Sequence, residues 1–268
     1  MASITGPPSI FVHKGVRWIT FGWTAFIIEN LILSQNRDEI IENFGDERYH
    51  QVYNTLSTAA CASIAYGYLK HGRNQGPKLW QVHTPGMRLA AFALQTLGLV
   101  GLSQFAPKVQ LPVLLGGSSS LDVSKTSEGA QEAEATEVKV RCPFDFTPPD
   151  VPADGIYGIK RVTRHGIFWS MGLAGAGSAL GTPFAAEVAM FSGPLFLAAI
   201  CGAHIDYRYR RGIGGTLTPE EEEKTSHIPF GAIIAGKQSI SDLASEIKQS
   251  NALCAISIAA LLHLRRIC

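Results

Sequence analysis

One segment limits the possible folds of this chain more than any other: residues 161–181, which read RVTRHGIFWSMGLAGAGSALG. A basic entry ending in histidine leads into an apolar stretch crowded with glycine, alanine and serine. Such small side chains make a poor helix in water, whereas in a bilayer they let neighbouring helices approach closely. Gly177 and Gly181 stand one helical turn apart and predict a small-xxx-small packing face. The segment therefore predicts a membrane helix in close contact with its neighbours.

The composition indicates the same class of protein. Only 17% of the 268 residues are charged, below the roughly 25% of soluble domains, and the mean hydropathy is positive. Lys and Arg total 23 against 22 Asp and Glu, so the chain has no basic field that would bind nucleic acid. The five cysteines form no CxxC motif and predict no disulfide framework. These features predict an integral membrane protein.

The apolar residues are gathered into six blocks with polar links between them. The last block is shorter than the roughly 20 residues of a full span. The sequence therefore predicts an all-α, polytopic membrane helix bundle with about six transmembrane helices, formed by a single domain over residues 1–268. Residues 116–154, rich in Ser, Glu and Pro, predict a flexible polar insertion between the third and fourth helices. The six blocks are residues 18–33, 52–69, 87–105, 166–181, 184–203 and 252–264.

Basic residues flank the fourth and fifth blocks. RVTRH precedes the fourth block and RYRR follows the fifth, so the positive-inside rule puts both on the cytoplasmic, stromal or matrix side. If the helices align, these side chains share one interface and bind lipid headgroups or an acidic neighbouring subunit. Plain anchoring of the helix ends is the alternative. The predicted lipid or partner residues are Arg161, Arg164, Arg208, Arg210 and Arg211.

Few residues in the predicted helices could hold a cofactor. A haem between membrane helices needs two strong axial donors, usually His, Met or Cys, at a common depth. No predicted helix carries a central histidine, which argues against a bis-histidine haem within the membrane. A peripheral site at His165 or His204 stays open, and Glu29 is a candidate because an ionisable group inside a span is often functional. The sequence has none of the common nucleotide, zinc-protease or hydrolase motifs.

Five features resemble a known family in sequence and in order. An Asp followed by a run of Arg comes after the fifth block, and the other four are GDERYH at 45–50, the Lys78-Leu79-Trp80 loop, RVTRH at 161–165 and TSHIPFGAIIAGKQ at 225–238. The chain resembles the NnrU family, most closely its plant and algal 15-cis-zeta-carotene isomerases. The resemblance covers residues 20–265 apart from the insertion.

The resemblance implies a specific chemistry together with its loss. The isomerases are membrane proteins that hold haem b and isomerise the central 15-cis bond of a linear carotene precursor. By this resemblance, their first-helix histidine falls at Glu29 or Asn30 and the histidine of their RxTRH motif matches His165. Their axial cysteine and histidine fall at Gly175 and Ser178. The resemblance therefore implies the fold of the family without its haem-ligand histidines.

Two main functional hypotheses follow. The first is a non-catalytic accessory or structural subunit of a complex in an energy-converting organellar membrane, either the mitochondrial inner membrane or a plastid membrane. Its partners are membrane lipids and other membrane subunits, and it has no cofactor. The second is a haem-b-dependent 15-cis-zeta-carotene, or polyene, cis-trans isomerase with substitute donors such as His165, Glu29, His204 or Cys201. A third, by analogy with bacterial members, is a role in nitric oxide and nitrite metabolism.

Overall fold

A computed structural model describes residues 10–80, 84–109, 144–149 and 151–267. These residues are largely helical, which confirms the predicted all-α membrane-type bundle. A 3-10 turn covers Ile10–Val12, and Lys108–Val109 (β1) pairs antiparallel with Phe144–Asp145 (β2). Most of the predicted insertion, residues 116–154, lies outside the described residues. The helices are α1 Lys14–Gln35, α2 Arg37–Phe44, α3 Asp46–His71, α4 Pro85–Ser103, α5 Ile159–Val162, α6 Gly166–Leu180, α7 Ala185–Arg210, α8 Pro219–Lys224, α9 Gly231–Ile234, α10 Ile240–Glu246 and α11 Gln249–Ile267.

The sequence predicts six membrane spans, but fewer of the described helices are long and apolar enough to cross a membrane. Within the described residues, α1, α4 and α7 do, and α10 with α11 makes a fourth if the pair is counted as one span across its 90° bend. The 15-residue α6 is about 22 Å long, short of the roughly 30 Å hydrocarbon core. The 26-residue α3 is long enough, but its composition is too polar. The bundle thus has three to four candidate spans in place of about six.

Helix α6 is packed between α4 and α7 at backbone contact, as its small side chains predict. A β-carbon added at Gly177 would lie 2.4 Å from a backbone nitrogen of α4, and one at Gly175 would lie 2.3 Å from a carbonyl oxygen of α7. One at Gly98 of α4 would lie 2.2 Å from a backbone nitrogen of α6. Larger side chains at these positions would force the helices apart. Gly181 is the C-cap of α6. Of the two glycines in the predicted packing face, Gly177 is therefore the one that contacts the neighbouring helix.

Helix α7 contacts α6 on one side and α1 on the other, and α1 also packs against α3. The loop that carries the Lys78-Leu79-Trp80 motif is tied to the start of α7, where the Leu79 amide donates to the Pro183 carbonyl at 2.8 Å. The buried carboxylate of Glu187 accepts a hydrogen bond from the Asn74 amide at 2.9 Å and another from the Thr182 hydroxyl. This loop is therefore a structural clamp. The core beside it is formed by Val16, Ile19, Ile64, Ala185 and Ala186.

The bend between α10 and α11 lies at the end of α4, where two side chains bind free carbonyl groups. Lys248 Nζ donates to the Gln104 carbonyl oxygen at 2.9 Å. The buried amide of Asn251 donates to the carbonyl oxygens of Ser103 at 2.9 Å and Pro107 at 3.0 Å. The last carbonyls of a helix have no partner within the helix itself. The start of α11 therefore caps α4, and this fixes the position of the bend.

Candidate functional site

Two of the sequence motifs, RVTRH and TSHIPF, lie against each other at the end of the bundle. The Arg164 amide donates to the Ser226 carbonyl at 2.9 Å, and the Phe230 amide donates to the Val162 carbonyl at 2.8 Å. Phe230 has a left-handed backbone with φ of 62°, which turns the second motif back onto the first. Residues 60 or more positions apart in sequence are thereby joined by main-chain hydrogen bonds. Their side chains meet the last turns of α7.

A carboxylate on α7 binds two consecutive side chains of the RVTRH motif. Arg164 donates to Asp206 through Nη2 to Oδ2 at 2.6 Å and through Nε to Oδ1 at 3.3 Å. His165 Nε2 lies 2.8 Å from the same Oδ1, and Arg164 Nη1 donates to Thr225 Oγ1 at 3.1 Å. The three charged or titratable side chains are each less than one tenth exposed. Together with His227 they form what we call the Asp206 cluster.

His227 joins the cluster from the TSHIPF motif. Its ring centroid lies 5.3 Å from that of His165 and 5.6 Å from that of Trp169. Its buried Nδ1 atom has no hydrogen-bond partner among the described residues. Burial lowers the pKa of His227 and the neighbouring His165 lowers it further, so the neutral ring is favoured. A β-carbon at Gly202 of α7 would lie 2.6 Å from the His227 ring, and a glycine there makes room for it.

The Asp206 cluster has the composition of a metal site. One ligand atom from each of His165, Asp206 and His227 lies within 4.8 Å of the others, and two imidazoles with a carboxylate are a known ligand set for divalent transition metals. The Arg164 guanidinium, however, already binds both oxygens of the carboxylate. It neutralises the charge that would attract a cation and repels one placed beside it. As the residues stand, the cluster is a buried ion-pair network that fastens the TSHIPF motif to α7.

The positions that correspond to axial ligands in the isomerases do not fit a haem. Gly175 has no side chain and lies against the backbone of α7, and Ser178 Oγ accepts a hydrogen bond from Gln95 of α4 at 3.3 Å. Neither residue offers a strong donor to iron, and the backbone contacts leave no gap for a porphyrin between these helices. On α1, Glu29 accepts a hydrogen bond from Ser57 of α3 at 2.8 Å. These positions serve helix packing.

The three predicted cofactor residues do not share one site. His165 is bound to Asp206, Glu29 faces α3, and His204 lines a different cavity. Sequence reasoning also missed the two residues that complete the buried cluster, Asp206 and His227. Their signals were present: an acidic residue near the end of an otherwise apolar helix, and a histidine inside the longest motif. Neither signal names a partner, because the three segments meet only in the folded chain.

Three of the five predicted lipid or partner arginines bind carboxylates of the chain itself. Arg161 donates to the Glu246 carboxylate through Nη2 at 2.6 Å and Nε at 2.8 Å, and this hydrogen bonding raises the pKa of Arg161. Arg210 Nε donates to Glu222 Oε1 at 2.8 Å. Arg164 binds the α7 carboxylate described above. These pairs cancel much of the positive charge that the sequence places at this interface.

The remaining two arginines have no carboxylate partner among the described residues. Arg211 Nη1 donates to the Tyr207 hydroxyl at 2.9 Å, and its guanidinium lies 5.1 Å from the centroid of that ring. Arg208 Nη2 donates to the Ile213 carbonyl oxygen at 3.2 Å. Binding of lipid or partner stays a prediction for all five arginines. Of these five arginines, Arg208 and Arg211 are the two without a carboxylate partner among the described residues.

Comparison with known proteins agrees with the motifs. A family model described as NnrU protein matches residues 19–264, nearly the whole chain. No curated protein and no solved structure matches. The matched region overlaps every candidate membrane span among the described residues, beginning within α1, and it includes both motifs that meet at the Asp206 cluster. The chain therefore belongs to the NnrU family.

Proposed function

We propose that this NnrU protein is a non-catalytic accessory subunit of a larger complex in an energy-converting organellar membrane, either the mitochondrial inner membrane or a plastid membrane. In this proposal its partners are other membrane subunits and lipids, and it acts without haem. It contributes a rigid helix bundle and an exposed protein-binding helix. The close packing around Gly175 and Gly177 supports the non-catalytic part, because the family positions for ligands are filled by helix contacts.

The main support for the subunit proposal is the surface of α3. This helix has 26 residues and is about 39 Å long, enough to cross a membrane. It packs mainly on α1, and its outer surface carries many small and polar side chains. Membrane helices contact each other through such residues, whereas lipid favours large apolar ones. The exposed small and polar residues include Asn54, Thr55, Thr58, Ala59, Ala62 and Ala65, and the same helix also exposes the larger Val52, Leu56, Tyr66 and Leu69.

Helix α11 shows what a lipid-facing surface looks like in the same chain. Most of its exposed side chains are large and aliphatic, namely Leu253, Ile256, Ile258, Leu261, Leu262 and Leu264, and the smaller Cys254 and Ser257 lie between them. A surface of this kind is stable in hydrocarbon without a protein neighbour. The contrast with α3 supports a model in which α11 faces lipid and α3 faces another subunit.

The proposal is tested by mild detergent extraction of the native membrane, followed by sizing on a native gel and haem extraction from the same fraction. We expect the wild-type chain in a large complex and no stoichiometric haem. Ala62→Trp places a bulky ring on the outer surface of α3 and should shift the chain toward the monomer. Ile258→Trp, a similar change on α11, is the matched control and should leave the complex intact.

Two results would contradict this function. Wild-type protein recovered only as a monomer after gentle extraction would argue against a subunit. A Soret band with one haem per chain would argue against a non-catalytic protein. If Ala62→Trp and Ile258→Trp both leave the complex intact, the partner does not bind the outer surface of α3.

One observation favours the isomerase as a second candidate. A groove of about 650 Å³ runs between α1 and α7, and its lining is mostly apolar, including Trp23, Ile27, Phe196 and Ile200. A groove of this size and character suits a linear polyene or an acyl chain. The test is bound haem b together with conversion of a cis polyene by purified protein. A groove that binds a polyene without converting it would leave the subunit proposal standing.

A further inference from the structure

A second cavity, of about 260 Å³, lies where α1 and α7 end and α3 begins. Both α1 and α7 are candidate membrane spans, so the cavity lies at the level of a membrane interface. It is separate from the Asp206 cluster, since none of that cluster's four side chains lines it. Its polar lining includes Asn30, Arg37, Tyr53, His204 and Arg208. We call it the Arg208 cavity.

Arg208 is a buried cation without a carboxylate partner among the residues that the structure describes. Only 6% of the residue is exposed, and its Nε atom is buried without a hydrogen-bond partner among the described residues. Its Nη2 atom donates a hydrogen bond to the Ile213 carbonyl oxygen at 3.2 Å. The negative end of the α7 dipole offsets part of the charge. A buried guanidinium without an anion is nonetheless costly, and proteins normally supply one.

Two further polar side chains face the same cavity. The buried Nε2 atom of His204 has no partner among the described residues. Arg37 approaches from α2, since a β-carbon at Gly214 would lie 2.4 Å from Arg208 Nη2 and 3.6 Å from Arg37 Cδ. Gly214 has φ of +70°, a conformation that glycine adopts easily. The Gly214 loop therefore lies against the side chains of both Arg208 and Arg37.

The acidic residues nearby do not neutralise these cations. Asp38 and Asp46 lie 3.5 and 3.4 Å from Arg37, and both are more than half exposed. Contacts of this length between exposed groups contribute little. The Tyr53 hydroxyl already donates to Asn30 Oδ1 at 2.5 Å. The cavity therefore offers more donors and positive charge than the chain can satisfy.

We propose that the Arg208 cavity binds the phosphate group of an anionic membrane lipid, with Arg208 as the main ligand and Arg37 as a further donor. Phosphate oxygens match the planar fork of a guanidinium, and the charge of the phosphate neutralises the buried cation. The position at an interface is where lipid headgroups lie. This inference does not depend on the subunit proposal, because it concerns the chain by itself.

The test uses the full chain in phosphatidylcholine nanodiscs, with and without phosphatidic acid. Thermal unfolding and native mass spectrometry give stabilisation and the number of bound lipids. We expect wild-type protein to bind phosphatidic acid about ten to a hundredfold more tightly than phosphatidylcholine, the range for one or two hydrogen bonds to a charged group. Arg208→Gln should lose this preference, and Arg37→Gln should lose part of it. Arg210→Gln, whose guanidinium binds Glu222 outside the cavity, should keep it.

A measurement with inorganic phosphate distinguishes the two possible ligands of the cavity, a lipid phosphate group and free phosphate. If phosphate alone stabilises wild-type protein fully and Arg208→Gln not at all, the phosphate site is supported and the lipid source is overturned. If wild-type protein binds both lipids equally, the proposal fails whether or not Arg208→Gln folds. Lipid extraction from the native complex that yields no bound anionic lipid would favour an acidic partner segment and would also overturn it.

Discussion

Arg164 and Arg208 are both buried beside the last turns of α7, yet their charges are treated differently. Arg164 binds both oxygens of a carboxylate two residues before Arg208, at 2.6 and 3.3 Å. Arg208 has a carbonyl oxygen, a cavity and no carboxylate among the described residues. The charge of Arg164 is neutralised within the folded chain. For Arg208, we propose that the anion comes from outside the chain.

The difference shows how a charged side chain near a membrane interface can be classified. A buried arginine with a bidentate carboxylate has a structural role, since the pair satisfies itself and holds two segments together. A buried arginine with open donors and adjacent space indicates a ligand. Burial alone does not distinguish the two, because both residues are more than nine tenths buried. The presence or absence of a carboxylate partner distinguishes the structural role from the ligand-binding role.

Removing the carboxylate of the Asp206 cluster should have the largest effect. Asp206→Asn keeps the size of the side chain and leaves Arg164 as an uncompensated buried charge. Loss of one partner of a buried pair costs about 3–5 kcal/mol, so we expect the free energy of unfolding to fall by that amount. Chemical unfolding of the purified protein in detergent measures it.

The control for this substitution is Glu222→Gln at the exposed pair with Arg210, whose side chains are 38% and 47% exposed. Exposed pairs contribute about 0–1 kcal/mol, so this variant should remain close to wild type. If Asp206→Asn is as mild as the control, the cluster is not the fastening that its geometry indicates.

Arg208→Met should have a much smaller effect in the absence of anionic lipid. The substitution removes one hydrogen bond to the Ile213 carbonyl, and it also removes an unpaired buried charge. Because these effects oppose each other, we expect a change within about 1 kcal/mol in either direction. The same chemical unfolding in detergent, without anionic lipid, compares it directly with Asp206→Asn. A loss as large as that of Asp206→Asn would mean that Arg208, too, is structurally paired.

Much of the fold could be predicted from local composition. The glycines and alanines of α6 predict close packing because the absence of a large side chain is itself the cause of the contact. The number of spans could not be predicted in the same way. The bend before α11 depends on Lys248 and Asn251 reaching the end of α4, more than 140 residues earlier in the chain. The polar outer face of α3 makes sense only once its single main neighbour is known.

The candidate sites were harder to predict because charges find partners far away in sequence. Arg161 and Glu246 are 85 residues apart, and a count of basic residues at an interface treats Arg161 as free. His204 was selected as a peripheral donor at the end of the fifth block and Glu29 as an ionisable group inside a span, but the fold directs them to different neighbours. Arg208 was one of five similar arginines in the sequence. Only the folded chain shows that it differs from the others.

The smallest predicted effect is the response of the Asp206 cluster to pH, which concerns one partly exposed ring. Burial holds the pKa of His227 below its ordinary value of 6.5, so the unfolded chain takes up a proton at a pH where the folded chain does not. Where the unfolded state binds more protons, stability rises with pH. The contribution of neutral His227 is therefore complete above pH 6.5 and is lost progressively as the pH falls through 6.5 toward the lower folded pKa.

His227→Gln removes this one titration and leaves Arg164, His165 and Asp206 in place. We expect its unfolding midpoint to fall less steeply than that of wild type between pH 7 and 5, measured in the same detergent at constant ionic strength. A wild-type midpoint that rises on acidification would contradict the assignment. It would mean that the protonated ring binds the Asp206 carboxylate more strongly than burial opposes it, and that the cluster has spare negative charge. In that case the cluster, like the Arg208 cavity, would be incomplete without an ion from outside.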